Sequence, residues 1–265
     1  MALDLESDSV PYFDRTGEAT FRPTDHVSGA WSTDEQHVAP ALGLMTHLVE
    51  TDHRRRHGDD VLAVSRLSFD ILGVLPMDEV AVSVRCLRPG RTIELVEAEL
   101  RHGGRAAVLL RAWLLAQRDT AEVAGSDRAP LPPVASTPGW DPTEVWPGGF
   151  IGSAQVRRDQ AAPGRARYWV RTDVPLLDEP TSPLARAAGL FDIANGMTVR
   201  ADPREVAFPN VDLTAHLVRS PVPGWLGFDT TVSFGPDGRG LTSSVVHDEQ
   251  GPLGTLAQTL TVRPG

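Results

Sequence analysis

Residues 185–197 read ARAAGLFDIANGM, an apolar segment that carries a single carboxylate. A Thr-Ser-Pro opening at 181–183 offers a helix cap followed by a first-turn proline, so the pattern predicts a helix over 181–197. One stripe of that helix combines small residues with the acid: Ala185, Ala188, Gly189 and Asp192. Small residues allow close packing, which would press the acid against another element. A buried carboxylate has to be neutral, hydrogen-bonded or active in a cleft, and the alternative is a solvated aspartate on a surface helix.

Composition and charge narrow the class of protein. The chain has 265 residues, 41% of them hydrophobic, which suffices for a sizeable core in one large or two ordinary domains. The net charge of −10 argues against nucleic acid and anionic membranes as main partners. Cys86 is the single cysteine, which fits a reducing compartment. The acidic N-terminus is unlike a signal peptide and no apolar run is long enough to span a bilayer, so a cytoplasmic protein is expected.

The first half of the sequence predicts one helix followed by four strands. Residues 37–52 carry apolar side chains at helical spacing, and Gly58 is a suitable stop after a basic last turn. Four strand-like runs follow, at 61–74, 77–88, 91–102 and 105–117. Pro-Gly at 89–90 and Gly-Gly at 103–104 are turn signals, so the last three runs are expected to form a meander.

The second half repeats this order after a proline-rich stretch. A strand-like segment at 166–172 precedes the helix predicted at 181–197. Four further runs follow, at 206–218, 225–234, 240–248 and 253–263. The repeated order indicates an internal duplication, in which two helix-on-sheet units side by side would share one continuous antiparallel sheet.

The duplication divides the chain into three parts. Residues 1–117 are expected to form the first unit, and 151–265 the second. Residues 118–150, rich in proline, are expected to be a linker that Trp140 and Trp146 pin to a surface.

Three segments of the second half resemble a known family. They are GLFDIANG at 189–196, FPNVDLTAHLVRSP at 208–221 and GPLGTLAQTLTVR at 251–263. Together with the duplication they resemble the double-hotdog acyl-CoA thioesterases of the TesB-like type. The resemblance implies an α+β fold of two tandem hotdog units, each a long helix packed on an antiparallel sheet, forming one continuous sheet. It also implies an acyl-CoA substrate, hydrolysis to free acid and CoA, and no metal or bound cofactor.

The resemblance also implies a site. In TesB-like enzymes an Asp, a Thr or Ser and a Gln hold the hydrolytic water, and Asp192 and Gln258 match the acid and the amide. The hydroxyl position falls on Asn210, a departure that keeps the ability to hydrogen-bond, with Thr214 as a nearby hydroxyl. The chemistry is self-consistent, because a carboxylate with a raised pKa can activate water while neutral amides orient it. The alternative is that the two amides are ordinary solvent-facing strand residues.

Aligning the two halves provides an internal comparison. The aligned positions are Thr46 with Asp192, Val64 with Asn210, and Arg111 with Gln258. The first half lacks all three polar groups of the second, so we expect an inactive first copy and an active second copy.

Other chemistries remain as alternatives. Hotdog enoyl-CoA hydratases carry an Asp that is followed five residues later by a His. In this chain the residue five positions after Asp192 is Met197, which argues against that chemistry. A non-catalytic acyl-CoA or lipid-binding module on the same fold is the second alternative. His53 and His57 have the helical spacing of a metal pair beside 59–60, but the arginines between them favour a solvated helix end.

Two further expectations concern partners. A basic stretch offers cations for the CoA phosphates: Arg157, Arg158, Arg165 and Arg167. The alternative is that this stretch is an ordinary solvated loop. Exposed sheet edges and helix faces would allow self-association into a homo-oligomer.

Overall fold

The fold was analysed in a computed structural model that describes residues 10–58 and 62–265. Three residues with sequence predictions lie outside the described residues. They are Asp59 and Asp60, which follow the possible metal pair His53 and His57, and the first residue of the predicted strand run 61–74. No helix among the described residues combines the length and the hydropathy needed to cross a membrane.

The first unit is a long helix and an antiparallel meander. Its helix α1 (Val38–His57) stops at Gly58, whose φ of 62° and N–H bond to the Arg54 carbonyl close the last turn as predicted. Its strands are β1 (Phe13–Arg15), β2 (Thr20–Pro23), β3 (Ser28–Gly29), β4 (Ser32–Gln36), β5 (Ala63–Ile71), β6 (Val80–Arg88), β7 (Ile93–His102) and β8 (Arg105–Leu115).

The second unit repeats this arrangement with shorter helices. Its helices are α2 (Gly149–Ser153) and α3 (Pro183–Ala188). Its strands are β9 (Gly139–Trp140), β10 (Ala154–Ala162), β11 (Arg165–Thr172), β12 (Val206–Ala207), β13 (Asp212–Leu217), β14 (Leu226–Phe234), β15 (Arg239–Asp248), β16 (Gly251–Thr261) and β17 (Arg263–Pro264). Single 3₁₀ turns lie at Asp25–Val27, Ala121–Val123, Val134–Ser136, Pro142–Glu144 and Phe191–Ile193.

Thirteen strands form one continuous sheet in the order β1-β2-β6-β7-β8-β5-β13-β16-β15-β14-β11-β10-β9. The two halves of this order mirror each other about the antiparallel β5–β13 pair, where the Ser68 and Thr214 hydroxyls hydrogen-bond at 3.0 Å. The sheet therefore has the double-hotdog arrangement that the resemblance implies, and the fold is α+β. The eight predicted strand runs each overlap one of the strands β5–β8 and β13–β16, and the strand-like segment predicted at 166–172 overlaps β11.

The helices of the two units pack against each other through glycine. A Cβ added at Gly43 of α1 would lie 2.8 Å from the Ala185 carbonyl oxygen and 2.9 Å from Gly189 Cα. The prediction that small residues near Gly189 allow close packing is therefore confirmed, and the partner is α1.

The helix predicted over 181–197 is wrong in its extent. The Ser182 hydroxyl accepts a hydrogen bond from the Ala185 N–H as expected of the cap, but α3 ends at Ala188. Gly189 has little intrinsic preference for a helix, and at Leu190 the backbone turns to φ −118° before one 3₁₀ turn over Phe191–Ile193. Strand β10 was not predicted, because its sequence AQVRRDQAA is mostly polar.

Candidate active site

The structure brings the three predicted polar residues together. Asp192 lies on the 3₁₀ turn after α3 and is 6% exposed. Its Oδ1 accepts hydrogen bonds from Asn210 Nδ2 at 2.6 Å and from Gln258 Nε2 at 2.9 Å. The alternative of solvent-facing amides is wrong for Gln258, which is 1% exposed, and Asn210 is half-buried.

Local structure explains how each amide reaches the acid. Gln258 lies on β16 between the inward-facing Leu256 and Leu260, so strand alternation turns its side chain into the core. Asn210 pairs with Leu260 just before β13, and its Nδ2 also donates to the Asp212 carbonyl at 3.1 Å, which fixes the donor side toward Asp192. Thr214, the nearby hydroxyl, bonds Ser68 at the junction of the units and not Asp192.

Burial gives the carboxyl group of Asp192 an unusual proton affinity. Desolvation raises the pKa of Asp192 to about 7, although the hydrogen bonds from Asn210 and Gln258 oppose the rise. Its second oxygen, Oδ2, accepts no hydrogen bond from the described residues. A substantial fraction of the carboxylate is therefore ionised at neutral pH with one oxygen available to a water, as a general base requires.

His37, from the first unit, lies next to this acid and was missed by sequence reasoning. Its Nδ1 is 4.0 Å from Asp192 Oδ2 and accepts a hydrogen bond from the Ala39 N–H, so the imidazole caps α1. The ring lies 4.3 Å from that of Phe150, and burial lowers the pKa of His37 to about 3. A histidine directly before a predicted helix, in place of the usual Ser, Thr, Asp or Asn cap, is the signal that could have drawn attention to it.

An apolar cavity of about 290 Å³ opens onto Asp192, Asn210 and His37. Both units supply its walls, through residues 71–75 of the first unit and Met197 of the second. Trp31, Trp146 and Phe208 form a cluster of edge-to-face rings, and two of them, Trp31 and Trp146, line the cavity. A largely apolar cavity with a few converging polar groups is the usual form of a small-molecule site.

Two family models match the chain. The acyl-CoA thioesterase N-terminal domain matches residues 27–115, and the acyl-CoA thioesterase C-terminal domain matches residues 125–262. The chain belongs to the acyl-CoA thioesterase family. No curated protein sequence matches it.

Solved structures share the fold over nearly the whole length. An acyl-CoA thioesterase II, TesB2, from Mycobacterium marinum is 14% identical with a TM-score of 0.68, over 96% of this chain and 96% of that one. A hot dog fold protein of unknown function from Alicyclobacillus acidocaldarius is 15% identical with a TM-score of 0.73, over 95% and 96% of the two chains. A candidate thioesterase from Novosphingobium aromaticivorans is 20% identical with a TM-score of 0.69, over 96% and 99%. At these identities the likeness shows the fold alone.

The register of the sheet shows that one pair of positions aligned between the two halves, Arg111 with Gln258, is wrong. Ser68 and Thr214 face each other across the junction, and their partners on the next strands are Arg111 and Ala257. Arg111 therefore corresponds to Ala257, and both are exposed. The residue that corresponds to Gln258 is the buried Ala112, because a slip of one residue exchanges the two faces of a strand.

The corrected register leaves the first unit without an acid site. Thr46, at the Asp192 position, is fully buried and donates its hydroxyl proton to the Leu42 carbonyl at 2.8 Å. Val64 and Ala112 occupy the positions of the two amides and are buried apolar residues.

The basic stretch is mostly engaged in structural contacts. Arg165 and Arg167 pair with Asp229, and Arg157 donates to a backbone carbonyl. Arg158 instead lies over the Trp140 ring, 3.4 Å from its centroid, and lines a second pocket of about 390 Å³.

The pair His53 and His57 belongs to a buried hydrogen-bond network, so the solvated helix end is wrong for His53. Both imidazoles hydrogen-bond Glu94, whose side chain is fully buried, and Arg56 donates to both Glu94 oxygens. The backbone N–H of Leu62 donates to His53 Nε2, so the His53 proton lies on Nδ1 and faces the carboxylate. Desolvation opposes ionisation of Glu94, but these donors hold its pKa near 2, and a cation would have to displace the guanidinium.

Proposed function

We propose that this protein hydrolyses acyl-CoA thioesters to the free acid and CoA by base-activated attack of water. The observation that carries the proposal is the Asp192 carboxyl group: it is buried, its pKa is about 7, and Oδ2 is left open beside an apolar cavity.

The proposed reaction uses Asp192 as the general base. A water bound to Oδ2 gives up a proton to the carboxylate while its oxygen attacks the thioester carbonyl carbon. The tetrahedral intermediate then expels the CoA thiolate, which receives this proton from the Asp192 carboxyl group as the C–S bond breaks. The sum is one thioester and one water converted to one carboxylic acid and one thiol.

Asn210 and Gln258 are positioning residues in this scheme. Both amides donate to Oδ1, so they fix the carboxylate and leave Oδ2 to the water. This differs from the expectation that the amides hold the water directly. Two neutral donors orient the acid without competing for the proton.

The acyl group would occupy the apolar cavity, and the nucleotide of CoA would lie beyond one of its walls. Trp146 and Met197 line the cavity, while Val145 and Val199, one and two residues away from them in the chain, line the second pocket. Arg158 and Arg200 line that second pocket and form no ion pair within the described residues. They are the groups we expect to meet the phosphates.

The test is release of free thiol from a panel of acyl-CoAs. Asp192→Asn keeps the side-chain shape and removes the base, so we expect kcat to fall by about 10²–10⁴-fold. Thr46→Val, at the equivalent position of the first unit, is the matched control and is expected to leave kcat unchanged. Thiol release unaffected by Asp192→Asn would contradict the assignment of the base. Acyl-CoA binding by calorimetry without thiol release by the wild type would instead identify a binding module.

A further inference from the structure

The imidazole of His37 lines the cavity and has one ring nitrogen, Nε2, that no described residue engages. The Ala39 N–H donates to Nδ1 at 3.2 Å, so Nδ1 is unprotonated and the ring proton of the neutral imidazole lies on Nε2. The described residues give Nε2 no hydrogen-bond partner, and Nε2 is not among the unpaired polar atoms that are sealed in the core. Since His37 lines the cavity, this N–H is available to a ligand there.

The position of this donor suits the reaction proposed above. The imidazole stands beside the free oxygen of Asp192, with Nδ1 4.0 Å from Oδ2. A carbonyl carbon attacked by a water on Oδ2 would lie within a few ångströms of the ring, and its oxygen would be directed away from the incoming water. Phe150 packs against the ring and Gly29 lies close to its edge, so the imidazole is held in place before any ligand binds.

We infer that Nε2–H of His37 is the hydrogen-bond donor to the thioester carbonyl oxygen and to the oxyanion that develops on it. This inference rests on the proposed hydrolysis and extends it, because the first unit would then contribute directly to the reaction. The imidazole acts as a neutral donor throughout, and the proton on Nε2 is not transferred.

The charges around His37 favour the neutral form. Asp192 and Glu35 are the titratable groups that line the cavity with it, and Nδ1 caps the positive N-terminal end of α1. A proton on Nδ1 would remove the cap and place a cation at this helix end. Burial accordingly lowers the pKa of His37 far below neutral.

A pair of variants separates the donor role from the cap role. Asparagine is a good N-cap, so His37→Asn is expected to keep the Ala39 hydrogen bond and the melting temperature, while its short side chain does not reach the carbonyl. We expect kcat to fall about 100- to 1,000-fold with little change in KM, the loss that follows removal of one oxyanion donor. His37→Gln, which is longer and carries an N–H donor, is expected to restore part of kcat. Full activity in His37→Asn alongside inactive Asp192→Asn would overturn the inference and leave the proposed hydrolysis intact.

A binding measurement decides the inference even for a protein that hydrolyses none of the acyl-CoAs. The probe is an acyl-CoA analogue in which a methylene replaces the sulfur, leaving a ¹³C-labelled ketone. Hydrogen bonding to Nε2–H moves the carbonyl resonance downfield in the wild type and in Asp192→Asn, and this shift is expected to be lost in His37→Asn. Equal carbonyl shifts in wild type and His37→Asn would overturn the inference.

Discussion

The two units of this chain share one architecture and differ in what they bury at equivalent positions. The first unit buries Thr46, which is satisfied by its own helix. The second buries Asp192, whose Oδ1 accepts hydrogen bonds from Asn210 and Gln258 on two other segments. The buried acid of the second unit therefore depends on its amide partners, because a buried carboxylate without hydrogen-bond donors is unfavourable by several kcal/mol.

The helices differ in a way that matters for the acid. Helix α1 has 20 residues and Thr46 lies within it, whereas α3 has six residues and ends before Asp192. On the 3₁₀ turn that follows, the carboxylate faces the sheet and the cavity. The first unit is still needed for the site, since the cavity wall at 71–75 and the imidazole of His37 belong to it.

The largest difference we expect between the units is in their pH dependence. Burial raises the pKa of Asp192 from 3.8 to about 7, so the folded state binds this proton more tightly than the unfolded chain does. The stabilisation that comes from this tighter proton binding is present below pH 4 and is lost as the pH rises through about 7. The free energy of unfolding changes by on the order of 4 kcal/mol over this range. In urea unfolding, the stability of Asp192→Asn relative to wild type should therefore increase by about this amount between pH 4 and pH 8. Thr46→Val should keep the wild-type pH profile, and parallel profiles for all three proteins would contradict the pKa assignment.

Placing an acid in the first unit should be costly. Thr46→Asp buries a carboxyl group in a unit where the apolar Val64 and Ala112 occupy the positions of the two amides. We expect a loss of about 3 kcal/mol in the free energy of unfolding at pH 8. Adding Val64→Asn and Ala112→Gln should recover part of the loss, which chemical denaturation would measure. A Thr46→Asp protein as stable as wild type would mean that the fold tolerates the acid without its partners.

The fold could be predicted because its signals are local. Strand alternation and turn dipeptides marked the eight strands β5–β8 and β13–β16, and Gly58 marked the end of α1. β10 was not predicted because its sequence is mostly polar and only Ala154 and Val156 are buried. The extent of the second helix was wrong because Ala and Leu favour a helix locally, whereas Gly189, at the end of α3, does not.

Only the site residues within the segments that resemble the TesB-like family could be predicted from the sequence. Asp192, Asn210 and Gln258 meet as the resemblance implies, and their catalytic role stays a prediction. His37 lies in the other unit, and no spacing within the sequence indicates a contact across 155 residues between it and Asp192. Arg111 was aligned with Gln258 because that alignment matched the turn residues Gly104 and Gly251, whereas the strand pairing places Arg105 at the position of Gly251.

The glycines at the helix contact offer a smaller test of the asymmetry. A Cβ at Gly43 would lie 2.8 Å from a backbone oxygen of the second unit, whereas one at Gly189 meets nothing closer than 3.3 Å. Gly43→Ala should cost about 2 kcal/mol, since overpacking of about 3 kcal/mol outweighs a gain of about 1 kcal/mol in helix propensity. Gly189→Ala, at a φ of −64°, should stay within about 0.5 kcal/mol of wild type in urea unfolding. Equal effects would show that the two helices approach each other symmetrically.

The smallest expected effect concerns the arginines beside the cavity. Arg200 lines the second pocket of the second unit, and Arg54 is an exposed arginine of the first unit that serves as its matched control. Because an exposed charged contact contributes about 1 kcal/mol, Arg200→Ala should raise KM for acyl-CoA about five-fold and leave kcat unchanged. Arg54→Ala should change neither parameter. The corresponding acyl-pantetheine, which lacks the nucleotide, should be hydrolysed equally well by wild type and Arg200→Ala. A KM increase with acyl-pantetheine as well would mean that Arg200 acts on the shape of the cavity and not on the phosphates.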